Sequence, residues 1–147
     1  MKPSEIKLQI TRFFPASREK IFEAWTRPDK IMQWFAPGEM TIPLAEVDLR
    51  VGGRYRIQMK DPDGGETHTT TGVYKEILPP QRLVFTWRWE GPDSQETEVT
   101  IELKEKDGGT ELTLTHARFA NTESRDKHQH GWNGCLENLS RFLEKSK

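Results

Sequence analysis

A single cysteine, Cys135, stands in a chain of 147 residues, so no internal disulfide can form and a reducing compartment is the expected setting. No apolar run approaches the roughly 20 residues that a bilayer-spanning helix needs. The opening Met1-Lys2-Pro3-Ser4-Glu5 is polar with no apolar segment behind it, so neither membrane insertion nor a secretory leader is expected, and the expected location is cytoplasmic. An excess of one charge sign is also missing: 22 Lys and Arg face 23 Asp and Glu, for a net charge of -1. Phosphate backbones demand a basic footprint, so nucleic acid is not an expected partner.

Hydrophobic residues amount to only 33% of the chain, a low figure for a packed domain. Five Trp and seven Phe compensate, because each large ring buries far more surface than an aliphatic side chain and disordered chains are poor in them. One domain over residues 1–147, with a modest aromatic-rich core, is the expectation.

Signatures of catalysis and metal binding are lacking as well. There is no G-x-S-x-G, no H-E-x-x-H and no glycine loop placed to cradle phosphate ahead of a helix. His128 and His130 differ by two positions and cannot share a helix face, and no spacing motif gives His116 a metal-binding partner. His68, in a Thr-rich strand, reads as surface. Cys135 reads as a small hydrophobe on an apolar helix face rather than a nucleophile. No catalytic residue, metal or cofactor is therefore expected, and the protein reads as a non-enzyme.

What is present is a clear pattern of elements. Ile6, Leu8 and Ile10 alternate with polar neighbours as in a strand with one wet face. Ser17 is placed to cap a helix carrying Ile21, Phe22 and Trp25, and Pro28 to open a second one carrying Ile31, Met32, Trp34 and Phe35. Strands are then expected over 44–50, 54–60, 66–77, 82–90 and 97–104, followed by a last strand that sets Leu112, Leu114 and His116 on one face. Turn signals separate them, among them Asp61-Pro62-Asp63-Gly64-Gly65, Gly91-Pro92-Asp93-Ser94 and Asp107-Gly108-Gly109. A long helix capped by Thr122 ends the chain, with His128, Gly131, Trp132, Cys135, Leu136, Leu139, Phe142 and Leu143 recurring every three or four positions. The expected fold is α+β: an antiparallel sheet of about seven strands, bent around the terminal helix.

A set of ordered strings adds a second line of evidence. Trp25-Thr26-Arg27-Pro28, Trp34-Phe35-Ala36-Pro37, Asp48-Leu49-Arg50-Val51-Gly52-Gly53, Pro62-Asp63-Gly64, Gly72-Val73-Tyr74-Lys75-Glu76-Ile77 with Pro79-Pro80, Leu83-Val84-Phe85-Thr86-Trp87 and Gly131-Trp132 run from one end of the chain to the other. Together they resemble the bacterial proteins related to the activator of the ninety-kilodalton heat-shock chaperone ATPase. The resemblance implies the START-like helix-grip fold, in which a curved antiparallel sheet grips a C-terminal helix around an apolar cavity. It implies no particular reaction, since relatives of this fold bind lipids, hormones or polyketides and only some transform them.

Side chains on a curved sheet diverge from the helix they face, so their rings can line a hollow instead of filling it. The expected lining is Trp34, Tyr55, Ile57, Tyr74, Phe85, Trp87, Trp89, His116, Trp132 and Cys135. The expected function is binding of a small hydrophobic or amphipathic molecule there. One alternative is an interaction domain for a chaperone or stress partner; another is a polyketide cyclase or dehydratase in which His116 or Tyr74 moves a proton. Asp48 and Arg50 are expected on one strand face, pairing across the sheet, with Gly52-Gly53 turning the chain after them.

Overall fold

A computed structural model describes residues 6–91 and 94–145. Residues 1–5 and the Pro92-Asp93 pair of the expected 91–94 turn lie outside them. The elements run β1 (Leu8–Phe14), α1 (Arg18–Thr26), α2 (Pro28–Trp34), β2 (Thr41–Val47), β3 (Arg54–Lys60), β4 (Thr67–Leu78), β5 (Arg82–Trp89), β6 (Thr97–Lys106), β7 (Gly109–Ala117) and α3 (Thr122–Lys145). Every strand pairing is antiparallel, and the spatial order is β1-β7-β6-β5-β4-β3-β2. Consecutive strands from β2 to β7 are therefore neighbours, as their short turns require, while β1 closes the far edge beside β7.

Local chemistry explains where the elements begin and end. The Ser17 side chain accepts a hydrogen bond from Lys20 N, which satisfies one of the amides left open at the start of α1. Pro28 opens α2, where its missing N–H removes nothing. The cap of α3 is Asn121, whose Oδ1 accepts from Ser124 N at 2.8 Å, rather than Thr122; the shorter reach from an amide side chain one residue earlier meets the third helical N–H. Pro43 lies in β2, which is an edge strand and can tolerate a residue without a donor.

The strand expected over 44–50 lies earlier in the chain, at Thr41–Val47. Beyond Val47 the backbone turns on itself, with Arg50 N bonded to Asp48 O and Gly53 N to Arg50 O, so it leaves the ladder. Asp48 and Arg50 consequently pair with each other at 2.8 Å in this exposed loop and not on a strand face. Such an exposed pair adds little to stability. Gly52 takes the turn with φ of 86° and donates its N–H to Tyr74 O.

One concave face of the sheet buries Tyr55, Ile57 and Met59 from β3, Leu83, Phe85 and Trp87 from β5, Val99, Ile101 and Leu103 from β6, and Leu112, Leu114 and His116 from β7. Helix α3 lays Trp132, Cys135, Leu136, Leu139 and Leu143 against that face. Its position is pinned at both sides: Arg12 Nη2 donates to Asn133 Oδ1 at 2.9 Å, and Asn138 Nδ2 reaches Ala36 O and Gly38 O. Gly134 lets the helix approach this second contact, since a Cβ there would stand 2.9 Å from Pro37 Cβ. No helix among the described residues is long and apolar enough to cross a membrane.

Candidate functional site

The inner aromatic residues divide into two groups with different packing. Tyr55, Ile57, Tyr74 and Phe85 join Trp25, Ile31 and Phe35 around only about 10 Å³ of free space. Their rings meet edge to face, with Tyr55 to Phe85 centroids 5.5 Å apart and Tyr74 to Phe85 6.2 Å apart. These four residues, expected at the cavity wall, form closed core instead. The helix pair α1–α2 is the reason: it covers this half of the sheet and inserts Trp25 and Phe35 where a hollow was expected. Trp34 is turned away as well, donating Nε1 to Ala24 O at 2.9 Å and bordering a separate depression of about 230 Å³ with Asn138 and Arg141.

The second group leaves a real opening. A cavity of about 470 Å³ lies between the end of β3–β5, the segment joining α2 to β2 and the first half of α3. Trp87, Trp89, Trp132 and Cys135 line it, as do Pro37, Met40, Met59 and Gly131. Asp61, His68, Lys127 and His128 complete its boundary. Thus an apolar body ends in a polar rim, within the size range of small-molecule sites. Pro37, Met40, Met59, Asp61, His68 and Lys127 are the lining residues that the sequence did not single out. His68, read as surface, is indeed exposed, yet it stands on this rim, 3.3 Å from Asp61 Oδ1.

Behind the wall runs a hydrogen-bonded ladder of two histidines and two tryptophans. Trp132 Nε1 donates to His116 Nδ1 at 3.0 Å, and an indole N–H can only donate. His116 Nδ1 is therefore unprotonated, and the proton of the neutral ring sits on Nε2, which donates to Thr97 Oγ1 at 2.6 Å. Thr97 Oγ1 in turn donates its O–H to Trp87 O. The second rung is built the opposite way: Trp89 Nε1 donates to His128 Nε2 at 3.0 Å, so His128 carries its proton on Nδ1 and gives it to Ser124 O. Each ring nitrogen is used once. The two imidazoles lie 5.1 Å apart, which holds the start of α3 against the ends of β5 and β7.

This arrangement favours neutral rings. Burial, followed by the neighbouring His128, depresses the pKa of His116 well below its ordinary value. Burial also lowers that of His128, while its bond to Ser124 O opposes the shift. Burial pushes the Cys135 thiol up to about 12, which keeps it an uncharged wall residue. In the unfolded chain both histidines regain a pKa of about 6.5 and bind protons that the folded state refuses. Their contribution to stability is complete above about pH 6.5 and is lost progressively as pH falls toward their lower folded values. The melting temperature should fall between about pH 6.5 and 5, and less steeply in His128→Gln; a wild-type profile that is flat across this window would contradict the ladder.

Residues 15–144 match the family model described as activator of Hsp90 ATPase homolog 1-like protein. The chain belongs to this family. The AHSA1 protein of Silicibacter pomeroyi is a structural relative at 26% identity and TM-score 0.85, covering 97% of this chain and 100% of its own. The AHSA1-like protein of Aeromonas hydrophila is 29% identical with TM-score 0.81, over 96% of this chain and 94% of that one. CalU16 of Micromonospora echinospora is similar at 27% identity and TM-score 0.74, over 93% and 75%. No curated protein matches. The family's helix-grip architecture, with its long terminal helix held by a curved antiparallel sheet, is the one described above.

Proposed function

We propose that the protein binds a small amphipathic molecule in the cavity beside α3. The observation that carries this reading is the contrast within one core: the half under α1 and α2 is closed to about 10 Å³, while about 470 Å³ stays open between Trp87, Trp89, Trp132 and the two methionines. Cores pack densely by default, so an apolar void of this size is a feature of the site and not of the fold.

Gly131 supports the same reading. It lies inside α3 at a position where an added Cβ would meet nothing within 4 Å, and it borders the cavity. A glycine inside a helix costs about 1 kcal/mol relative to alanine, and no backbone or side chain crowds this one. The space it leaves is space for a ligand. Gly131→Leu should fold, keep or raise the melting temperature, and abolish the thermal stabilisation and Trp quenching that a panel of lipophilic ligands produces in the parent protein. If no ligand in such a panel shifts the parent's melting temperature or fluorescence, the reading fails.

The cyclase or dehydratase alternative draws no support from the site. Both nitrogens of His116 are engaged inside the protein, and Tyr74 sits in the closed cluster, where burial raises its pKa. Chaperone association rests on family membership, and stimulation of an Hsp90 ATPase by the purified protein is its direct test.

A further inference from the structure

The rim of the cavity carries an asymmetry of charge that bears on what can enter, and the following rests on the binding reading above. Three side chains that carry or can carry charge border the opening besides the neutral His128. Lys127 is 75% exposed and lies 3.3 Å from Glu123, one turn earlier on α3, so its charge is both solvated and partly answered. Asp61 is the least exposed of the three, at 35%, and its neighbour is His68, at 43%. The Asp61 backbone is held in place by its N–H bond to Glu66 O and by its own carbonyl, which accepts from Gly64 N. The carboxylate that borders the cavity therefore belongs to a hydrogen-bonded turn, whereas the ammonium group is on a long, solvated stem.

A ligand whose apolar part occupies the space among the tryptophans brings its polar end to this rim. A carboxylate there meets the carboxylate of Asp61, which is the less solvated of the two opposite charges, and Lys127 is too exposed and too well answered to offset the repulsion. A hydroxyl or an ammonium group instead finds an acceptor in Asp61. We infer that the site is selective for ligands with a hydrogen-bond-donating head, alcohols, phenols and amines, and discriminates against fatty and aromatic carboxylates, with Asp61 as the residue that sets the preference.

The test is calorimetric titration of the full chain near neutral pH with probes sharing one apolar body: naphthalene, 2-naphthol, 2-naphthylmethylamine and 2-naphthoate. The naphthol and the amine should bind at least about tenfold more tightly than the naphthoate. In Asp61→Asn the naphthoate should gain and the amine should weaken, bringing the affinities to within about threefold of one another, while naphthalene itself is unaffected. Lys127→Ala should leave the ranking unchanged. Equal or tighter binding of naphthoate by the parent protein, or a ranking that Asp61→Asn does not alter, overturns the selectivity and leaves the cavity reading standing. Failure of all four probes, together with laurate and dodecanol, overturns the cavity reading itself. The melting temperature of Asp61→Asn, measured alongside, establishes that the turn is intact.

Discussion

Gly72→Ala should lower stability by about 3 kcal/mol or more, the upper end of what overpacking costs, because the obstruction is backbone and not a movable side chain. A Cβ at Gly72 would overlap the Thr86 carbonyl oxygen and stand 2.6 Å from Tyr55 Cε2. The position has a structural role. Between the pairs Thr71↔Arg88 and Tyr74↔Phe85 the β4–β5 ladder has no regular pairing; one side-chain bond joins β4 to β5 there, and two more tie Tyr55 of β3 to the same stretch. Val73 N donates to Thr86 Oγ1 at 2.8 Å, Tyr55 Oη donates to Thr86 O at 2.6 Å, and Thr71 Oγ1 donates to Tyr55 O. Strand β5 thereby approaches the glycine closely at Thr86. For a chain of this size the loss corresponds to a drop of about 6–12 °C in melting temperature, readable by circular dichroism. A drop below about 2 °C would show that the two strands can separate there at little cost.

His116→Leu should destabilise by about 2–3 kcal/mol, although leucine fills a similar volume and the site is fully buried. The loss comes from what is left behind. Trp132 Nε1–H is stranded without its acceptor, and Thr97 Oγ1 loses the proton it accepts while still donating to Trp87 O. The cavity wall loses its backing at the same time, so ligand affinity should fall with stability. Pairing the change with Trp132→Phe separates the hydrogen bond from packing. Once the indole N–H is gone, replacing His116 strands no donor and costs only the bond Thr97 Oγ1 accepts, so the double variant should be more stable than the sum of the two single losses implies by about 1 kcal/mol or more. Strict additivity in chemical denaturation would mean that the Trp132–His116 bond contributes nothing specific. The acid-side loss of stability described above should also shrink in His116→Leu, since one of its two proton acceptors is absent.

Family membership and fold are both legible in the chain itself. Alternation of apolar and polar residues sets the facing sides of β3, β5, β6 and β7, since a one-residue slip would expose them all, and the 3.6-residue rhythm from Trp132 to Leu143 sets the buried side of α3. Ser17, Pro28 and the turn glycines punctuate the elements by chemistry that acts within three or four residues. Such signals are local, and a single sequence carries them completely.

Where the core is solid and where it is hollow is another matter. Tyr55 and Met59 lie on one face of the same strand, yet one is packed under Phe35 and the other borders the cavity, because α1 and α2 extend over only part of the sheet. No pattern in β3 distinguishes them. His68 and Asp61 likewise become rim residues only when β4 folds back along β3, and His116 and His128 become neutral neighbours, each bonded to its own tryptophan, only when α3 crosses the ends of β5 and β7. The sequence alone thus determined which side chains face inward; the tertiary structure decided which of them touch. Periodicity encodes direction at each residue, whereas free volume and tautomer depend on partners tens of residues away in the chain.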